Sequence, residues 1–382
     1  MQTDFSFHYG PRVRSGPGSA TAAMDLLPQG PVLFVTDSGL RSLGLTDRAL
    51  AALEESGRAA IIFDAVEADP SAATVEAAVA AARSANAASV VGFGGGSPMD
   101  VAKTAAYLLG SGDALEDIYG VDRAEGERLP LILVPTTAGT GSEATPIAIL
   151  TVGGAEKKGI VSPALYADWA VLDADLTIGL PHAVTAATGI DAMVHAIEAF
   201  TSKRLKNPLS DALAREALRI LSRNIRLACD EPENREARGQ MLLGAHLAGV
   251  AFSNAPVAGV HALAYPLGGH FHVPHGLSNA LMLPHVLGHN MGAAMELYAD
   301  LAIEVDPGLG SLGTQGRAQG FVEALRQIAA DTGLSPRLRD VGVDASHLDL
   351  LAAEAMKQER LLINNPCEIT QSDARRLYEA AL

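Results

Sequence analysis

Residues 89–109 read SVVGFGGGSPMDVAKTAAYLL. A β-branched apolar run ends in a string of glycines, and an alanine-rich stretch follows with Pro98 at the expected first helical position, where its missing N–H does no harm. A strand that runs through glycines into a helix is the opening of a βαβ unit. Working outward, PVLFVTD (31–37), AAIIFDAV (59–66), LPLILVPTTAGTGSE (129–143) and WAVLDADL (169–176) read as further strands. Helical runs are expected near 39–56 and 71–86. Strands separated by helices of this length imply parallel pairing.

The pattern changes near Gly179–Pro181. Beyond it, apolar periodicity near 3.6 marks helices at about 181–202, 208–229, 235–251, 256–270, 276–289, 293–304 and 317–332, and strand signals nearly vanish. The chain therefore reads as two domains, an α/β domain over 1–179 and an all-helical domain over 180–382. Apolar residues make up 48% of the 382 and charged residues 19%, a globular balance that argues against disorder. The formal net charge of −16 disfavours phosphate backbones and anionic lipid, so neither nucleic acid nor membrane is an expected partner.

Cys229 and Cys367 lack any CxxC spacing and build neither a disulfide framework nor a thiolate zinc site. The first residues, MQTDFSFHYGPRVRSG, contain no apolar leader, and no run approaches eighteen apolar residues. The expectation is a cytoplasmic protein.

The glycines at 94–96 let backbone N–H groups approach a phosphate, and the helix that follows adds partial positive charge. This is not a clean GxGxxG, so a bare tight turn remains a reading of it. The second loop, PTTAGTGSE, places the hydroxyls of Thr136, Thr137, Thr140 and Ser142 after another strand, where a nucleotide cleft needs them. Asp37 ends a strand in VTDSGL. It can accept from a ribose 2′-hydroxyl and repel a 2′-phosphate, which favours NAD over NADP, or it can simply cap a helix.

Four histidines, His261, His270, His272 and His275, crowd into GVHALAYPLGGHFHVPHG (259–276). Asp191 and His195 lie four apart in GIDAMVHAIEAF (189–200), one helical turn from each other. Alone, they read as a solvated helix pair or as two ligands. With His261 and His275 they make one carboxylate and three imidazoles, a donor set for Fe²⁺ or Zn²⁺.

GGGSPMDVAK, PTTAGTGSE, GIDAMVHAIEAF and GVHALAYPLGGHFHVPHG, with the closing NNPCEIT, resemble in order and spacing the iron-containing (group III) alcohol dehydrogenases. The resemblance implies a Rossmann-like, dinucleotide-binding α/β domain with a parallel sheet, joined to an all-α domain in a dehydroquinate synthase-like architecture. It places metal ligands at Asp191, His195, His261 and His275. It places cofactor contacts at Asp37, Gly95, Gly96, Ser97, Asp100, Thr136, Thr137 and Thr140, and a cofactor-side lysine at Lys157, with Lys158 its neighbour.

The implied activity is hydride transfer between a small alcohol or aldehyde and NAD(H), with Fe²⁺ (alternatively Zn²⁺) polarising the substrate oxygen, in a homodimer. One departure concerns proton transfer. The family commonly carries a histidine four residues after the third ligand, and here that position is Tyr265. The proton relay then falls to Tyr265, His270 or His272. The departure keeps open a glycerol dehydrogenase-like or maleylacetate reductase-like relative, and a non-catalytic nucleotide-binding protein is a further alternative.

Overall fold

A computed structural model describes residues 4–153, 156–334 and 337–382. The chain falls into two compact units, one spanning Tyr9–Ile178 and the other Gly179–Leu382 together with the N-terminal segment ending at His8. That segment is tied down reciprocally: the His8 backbone N–H donates to Asn254 Oδ1 at 2.8 Å, and Asn254 Nδ2 donates to the His8 carbonyl at 2.8 Å.

The unit Tyr9–Ile178 holds β1 (Arg12–Ser15), α1 (Ser19–Ala23), β2 (Val32–Val35), α2 (Ser38–Ser42), α3 (Asp47–Glu55), β3 (Ala60–Phe63), α4 (Ala72–Ser84), β4 (Ser89–Gly94), α5 (Gly96–Ser111), β5 (Gly120–Val121), β6 (Leu131–Pro135), β7 (Ile147–Val152), β8 (Glu156–Val161) and β9 (Trp169–Leu172). Six strands form one parallel sheet in the order β1-β9-β6-β4-β2-β3. Its central strands β2, β4 and β6 are buried along their whole length, as their near-continuous apolar sequences require of strands covered on both faces. Two apolar clusters fill the space on either side, one including Leu33, Val90, Met99 and Leu133, the other Phe34, Val91, Phe93 and Val134.

All five strands expected from the sequence lie in this sheet. The expected helix 39–56 is two helices, α2 and α3, separated by a turn at Gly44, whose φ of +70° suits glycine. Helix α5 starts at Gly96, so Pro98 sits in its first turn rather than at its first position. The second sheet, β5-β8-β7, was not anticipated, and its β7–β8 pair is antiparallel.

The other unit is helical: α6 (His182–Thr201), α7 (Pro208–Asp230), α8 (Arg235–Asn254), α9 (Gly259–Phe271), α10 (His275–Val305), α11 (Thr314–Asp331), α12 (Leu348–Met356), α13 (Glu359–Leu362) and α14 (Gln371–Ala380). Helix α6 is buried on every face from Gly189 to Thr201, which places it at the centre of the unit. The helices expected at 276–289 and 293–304 are one continuous α10, with Pro284 accommodated inside it. Helices α8 and α9 meet at a bend of 107°. Among the described residues, no single helix is long and apolar enough to cross a membrane.

Candidate functional site

Helix α6 carries Asp191 and His195 on one face, one turn apart. His261 comes from the first turn of α9 and His275 is the first residue of α10. Gly276 makes that arrival possible: a Cβ there would collide with the Ala187 carbonyl of α6, so only glycine lets α10 begin against α6. Asp191, His195 and His261 are buried, and His275 is 41% exposed on its side chain. Each of the four offers one donor atom, and these atoms all lie within 4.8 Å of one another.

The spacings inside the cluster are informative. His195 Nε2 and His261 Nε2 are 3.0 Å apart. Asp191 Oδ1 lies 3.5 Å from His275 Nε2 and 3.8 Å from His261 Nε2. Burial alone would raise the Asp191 carboxyl, but the imidazoles of His195, His275 and His261 and the Asn279 amide outweigh it and hold the group below the usual carboxylate range. Two imidazole nitrogens this close repel as bare lone pairs and clash as two N–H groups. A shared proton or a cation between them relieves both. Three imidazoles and a carboxylate converging at one point, three of the four side chains buried, fit a divalent transition metal.

Three residues not singled out from the sequence support the cluster. Glu198 Oε2 accepts from His261 Nδ1 at 2.6 Å. Asn279, one turn after His275 on α10, donates through Nδ2 to Asp191 Oδ1 at 2.6 Å. Phe252 of α8 stacks on His195, with ring centroids 4.4 Å apart. The helical spacing held a signal for two of them: Glu198 lies three after His195, and Asn279 four after His275, on the faces that already carry ligands.

Of the three relay candidates, Tyr265 lies with the cluster, its ring centroid 5.8 Å from that of His275 and 6.5 Å from that of His261. His270 instead stands 3.9 Å from Glu354 of α12. His272 ends α9 in the left-handed conformation, with φ +54°, and is exposed. The structure does not bring these two histidines together with the donor atoms.

Within Tyr9–Ile178, the two glycine-bearing loops abut. Thr136 N–H donates to the Gly94 carbonyl at 2.9 Å. A Cβ on Gly96 would come within 3.0 Å of Thr140 Cγ2, and one on Gly95 within 3.7 Å of Thr137 Oγ1. Gly94, at φ +154°, makes the turn into α5, and a Cβ there would lie 2.7 Å from Pro98. Gly95, Gly96, Ser97, Thr137 and Thr140 are all partly exposed at the amino end of α5, whereas Thr136 is buried. Asp37 caps α2, its Oδ1 accepting from Leu40 N–H at 2.9 Å, while Oδ2 has no protein donor among the described residues. The capping role is therefore filled by one oxygen only.

Asp100 is committed inward. Its Oδ1 accepts from Ser142 Oγ at 2.6 Å and pairs with Lys103 Nζ at 3.0 Å, and its Oδ2 accepts from Ile149 N–H at 2.9 Å. Lys103, fully buried, also donates to the carbonyls of Ser142 and Ile147. The pair thus braces the threonine loop and the start of β7 against α5. Lys157 Nζ pairs with Asp69 Oδ1 at 2.6 Å and donates to Thr151 Oγ1 at 3.0 Å, and Lys158 lies over the Tyr119 ring.

Comparison with known families agrees with both halves of this geometry. Residues 10–174 match the family described as "Iron-containing alcohol dehydrogenase", and residues 185–382 match "Fe-containing alcohol dehydrogenase family, C-terminal". The chain belongs to the iron-containing alcohol dehydrogenase family. Within that family it is 40% identical to long-chain-alcohol dehydrogenase 1 of Geobacillus thermodenitrificans (strain NG80-2), over 92% of this chain and 89% of that one. It superposes on the crystal structure of a 1,3-propanediol oxidoreductase with a TM-score of 0.95 at 35% identity, covering 99% of this chain and 100% of the other. A sulfoacetaldehyde reductase from Bifidobacterium kashiwanohense, solved with NAD⁺, superposes with a TM-score of 0.87 at 27% identity, covering 99% of each chain.

Proposed function

We propose that this member of the iron-containing alcohol dehydrogenase family is a metal-dependent, NAD(H)-linked alcohol dehydrogenase that also reduces aldehydes. The observation that carries the reading is the set of buried Asp191, His195 and His261 with the exposed His275, whose donor atoms lie within 4.8 Å of one another. A divalent cation held there, iron in preference to zinc on the family's description, supplies a Lewis acid for the substrate oxygen.

The chain's own groups then have separate tasks. The first-turn N–H groups of α5 receive the cofactor's pyrophosphate at the helix's positive end, with Thr137 and Thr140 closing over it. Asp37 Oδ2 accepts from the adenosine ribose, which is the basis for proposing NAD rather than NADP. Tyr265 Oη is the proposed station for the proton exchanged with the substrate oxygen, because its ring lies beside His275 and His261 while His270 faces Glu354 and His272 is exposed at the end of α9. A homodimer is also proposed, since all four residues of the edge strand β1 are exposed and an edge strand offers its outer backbone groups to a partner.

The similar proteins are named for substrates as different as long-chain alcohols and 1,3-propanediol, so the substrate is proposed only as a primary alcohol or its aldehyde. The test follows NADH oxidation with a series of aldehydes of increasing chain length, comparing metal-stripped protein with protein reloaded anaerobically with Fe²⁺ or Zn²⁺. Turnover is expected only after reloading. Equal turnover in the stripped protein overturns the metal assignment and favours a metal-independent relative, whereas NADH binding without any turnover favours a binding protein.

A further inference from the structure

Glu198 is a buried carboxylate against which, among the described residues, no Lys or Arg side chain pairs. It is 3% exposed, and each of the donors seen at its two oxygens belongs to α9 or its approach. Oε2 accepts from Ala258 N–H at 2.9 Å and faces His261 Nδ1 at 2.6 Å, and Oε1 accepts from Val260 N–H at 2.6 Å. Two of those three donors are backbone N–H groups at the start of α9, which has no other side-chain cap. They can only donate. A carboxylate satisfied in this way presents an acceptor to the third partner, so the proton on His261 belongs on Nδ1.

We infer that Glu198 is a positioning residue of the donor set: it locks His261 in the Nδ1–H tautomer, which leaves Nε2 bare and turned toward His195, Asp191 and His275, and it anchors the helix start that carries His261. The inference rests on the metal reading proposed above. The physical logic is that a ligand imidazole binds through a lone pair. Its other nitrogen must therefore carry the proton and needs an acceptor to hold it. Oε2 supplies that acceptor, and by also receiving Ala258 N–H it sets the imidazole's position relative to the helix backbone. A residue serving only as a helix cap would need neither the 2.6 Å contact to Nδ1 nor its place on α6, three residues after one donor and seven after another.

The substitution Glu198→Gln separates the two roles. The amide keeps the shape but replaces one acceptor oxygen by a donor. It either opposes the backbone N–H groups of α9 or turns His261 to the Nε2–H tautomer, which has no lone pair to offer the centre. Zn²⁺ dissociation constants measured by competition with a chromogenic chelator are expected to be about 10- to 100-fold weaker in folded Glu198→Gln than in the unsubstituted protein. Equal affinity in the two folded proteins overturns the inference.

A second measurement needs no substitution at Glu198. In metal-free protein with ¹⁵N-labelled histidine, the ring nitrogens of His261, assigned with His261→Asn, should report a proton on Nδ1, and a proton on Nε2 overturns the inference even where Glu198→Gln does not fold. Failure of the underlying reading has its own signature. The unsubstituted protein would then take up no Zn²⁺ while His261 still showed the Nδ1–H tautomer.

Discussion

His195 Nε2 and His261 Nε2 stand 3.0 Å apart although 66 residues separate them in the chain. Without a cation the two nitrogens must share a proton, and a metal bound by both in its place should stabilise the folded state directly. Adding Zn²⁺, or Fe²⁺ without oxygen, at a thousandfold excess over its dissociation constant is expected to add about 4 kcal/mol to unfolding free energy. In His261→Ala, calorimetry should show no metal-dependent rise in Tm. A rise as large as in the unsubstituted protein would remove His261 from the donor set.

Asp37 caps α2 and is the proposed ribose contact, and serine divides the two. In Asp37→Ser the hydroxyl still caps α2, which limits the structural cost to a few tenths of a kcal/mol, while the negative charge is lost. Discrimination against NADPH is expected to relax by about tenfold, or 1.4 kcal/mol, measured as the ratio of kcat/KM for NADH and NADPH. An unchanged ratio at unchanged Tm would leave Asp37 a cap and nothing more.

Lys103 is the buried cation on which the threonine loop hangs. Lys103→Met keeps most of the volume but takes the cation from the Asp100 carboxylate and the ammonium donor from the Ser142 and Ile147 carbonyls. Removing one member of such a buried pair costs on the order of 3–5 kcal/mol, so a large fall in Tm is expected. Because Ser142 and Ile147 lose their anchor, NADH affinity should fall as well. A variant as stable as the parent would mean that the pair contributes no net stability in this setting.

Asp168 gives a pH dependence with a definite sign. Burial pushes its carboxyl up, but the hydrogen bonds from Arg128 Nη1 and Leu131 N–H, both at 2.8 Å, prevail and hold it below the ordinary value. A depressed folded-state value means that the contribution is fully present above the unfolded value of about 3.9 and is lost as pH falls through the lower folded one. Urea midpoints should therefore decline below about pH 4, and Asp168→Asn should flatten part of that decline. The side chain is about half exposed, so solvent keeps the effect small.

Much of the architecture was legible because its signals are local. The buried runs of β2, β4 and β6 are continuous in sequence, and the motif GGGSPMD carries its own turn and helix start. The donor residues were legible as a set because their types and spacing are unusual. The antiparallel β7–β8 pair was not, since β8 (EKKGIV) has the polarity of a loop and becomes a strand only through its register with IAILTV. Glu198 stands at helical spacing from His195, but its partners lie far off in the chain: two backbone N–H groups 60 and 62 residues away, which leave no mark in the sequence, and the ring of His261. Asp100, read as a cofactor contact, also accepts from Ser142 and Ile149 and pairs with Lys103, an anchoring role that GGGSPMDVAK does not announce.

The tie between His8 and Asn254 makes the helical unit discontinuous along the chain, with Tyr9–Ile178 interposed between its two pieces. A chimaera with another member of the family therefore needs two crossovers, one at His8–Tyr9 and one at Ile178–Gly179. A single junction at Gly179 would give the recipient helices a foreign N-terminal segment in place of the one that grips Asn254. With both junctions, the cassette carrying Asp37, the glycine loop and the threonine loop is exchanged whole, and every metal donor stays with its native neighbours. The proposed cofactor contacts and the proposed metal donors are in that sense separately heritable.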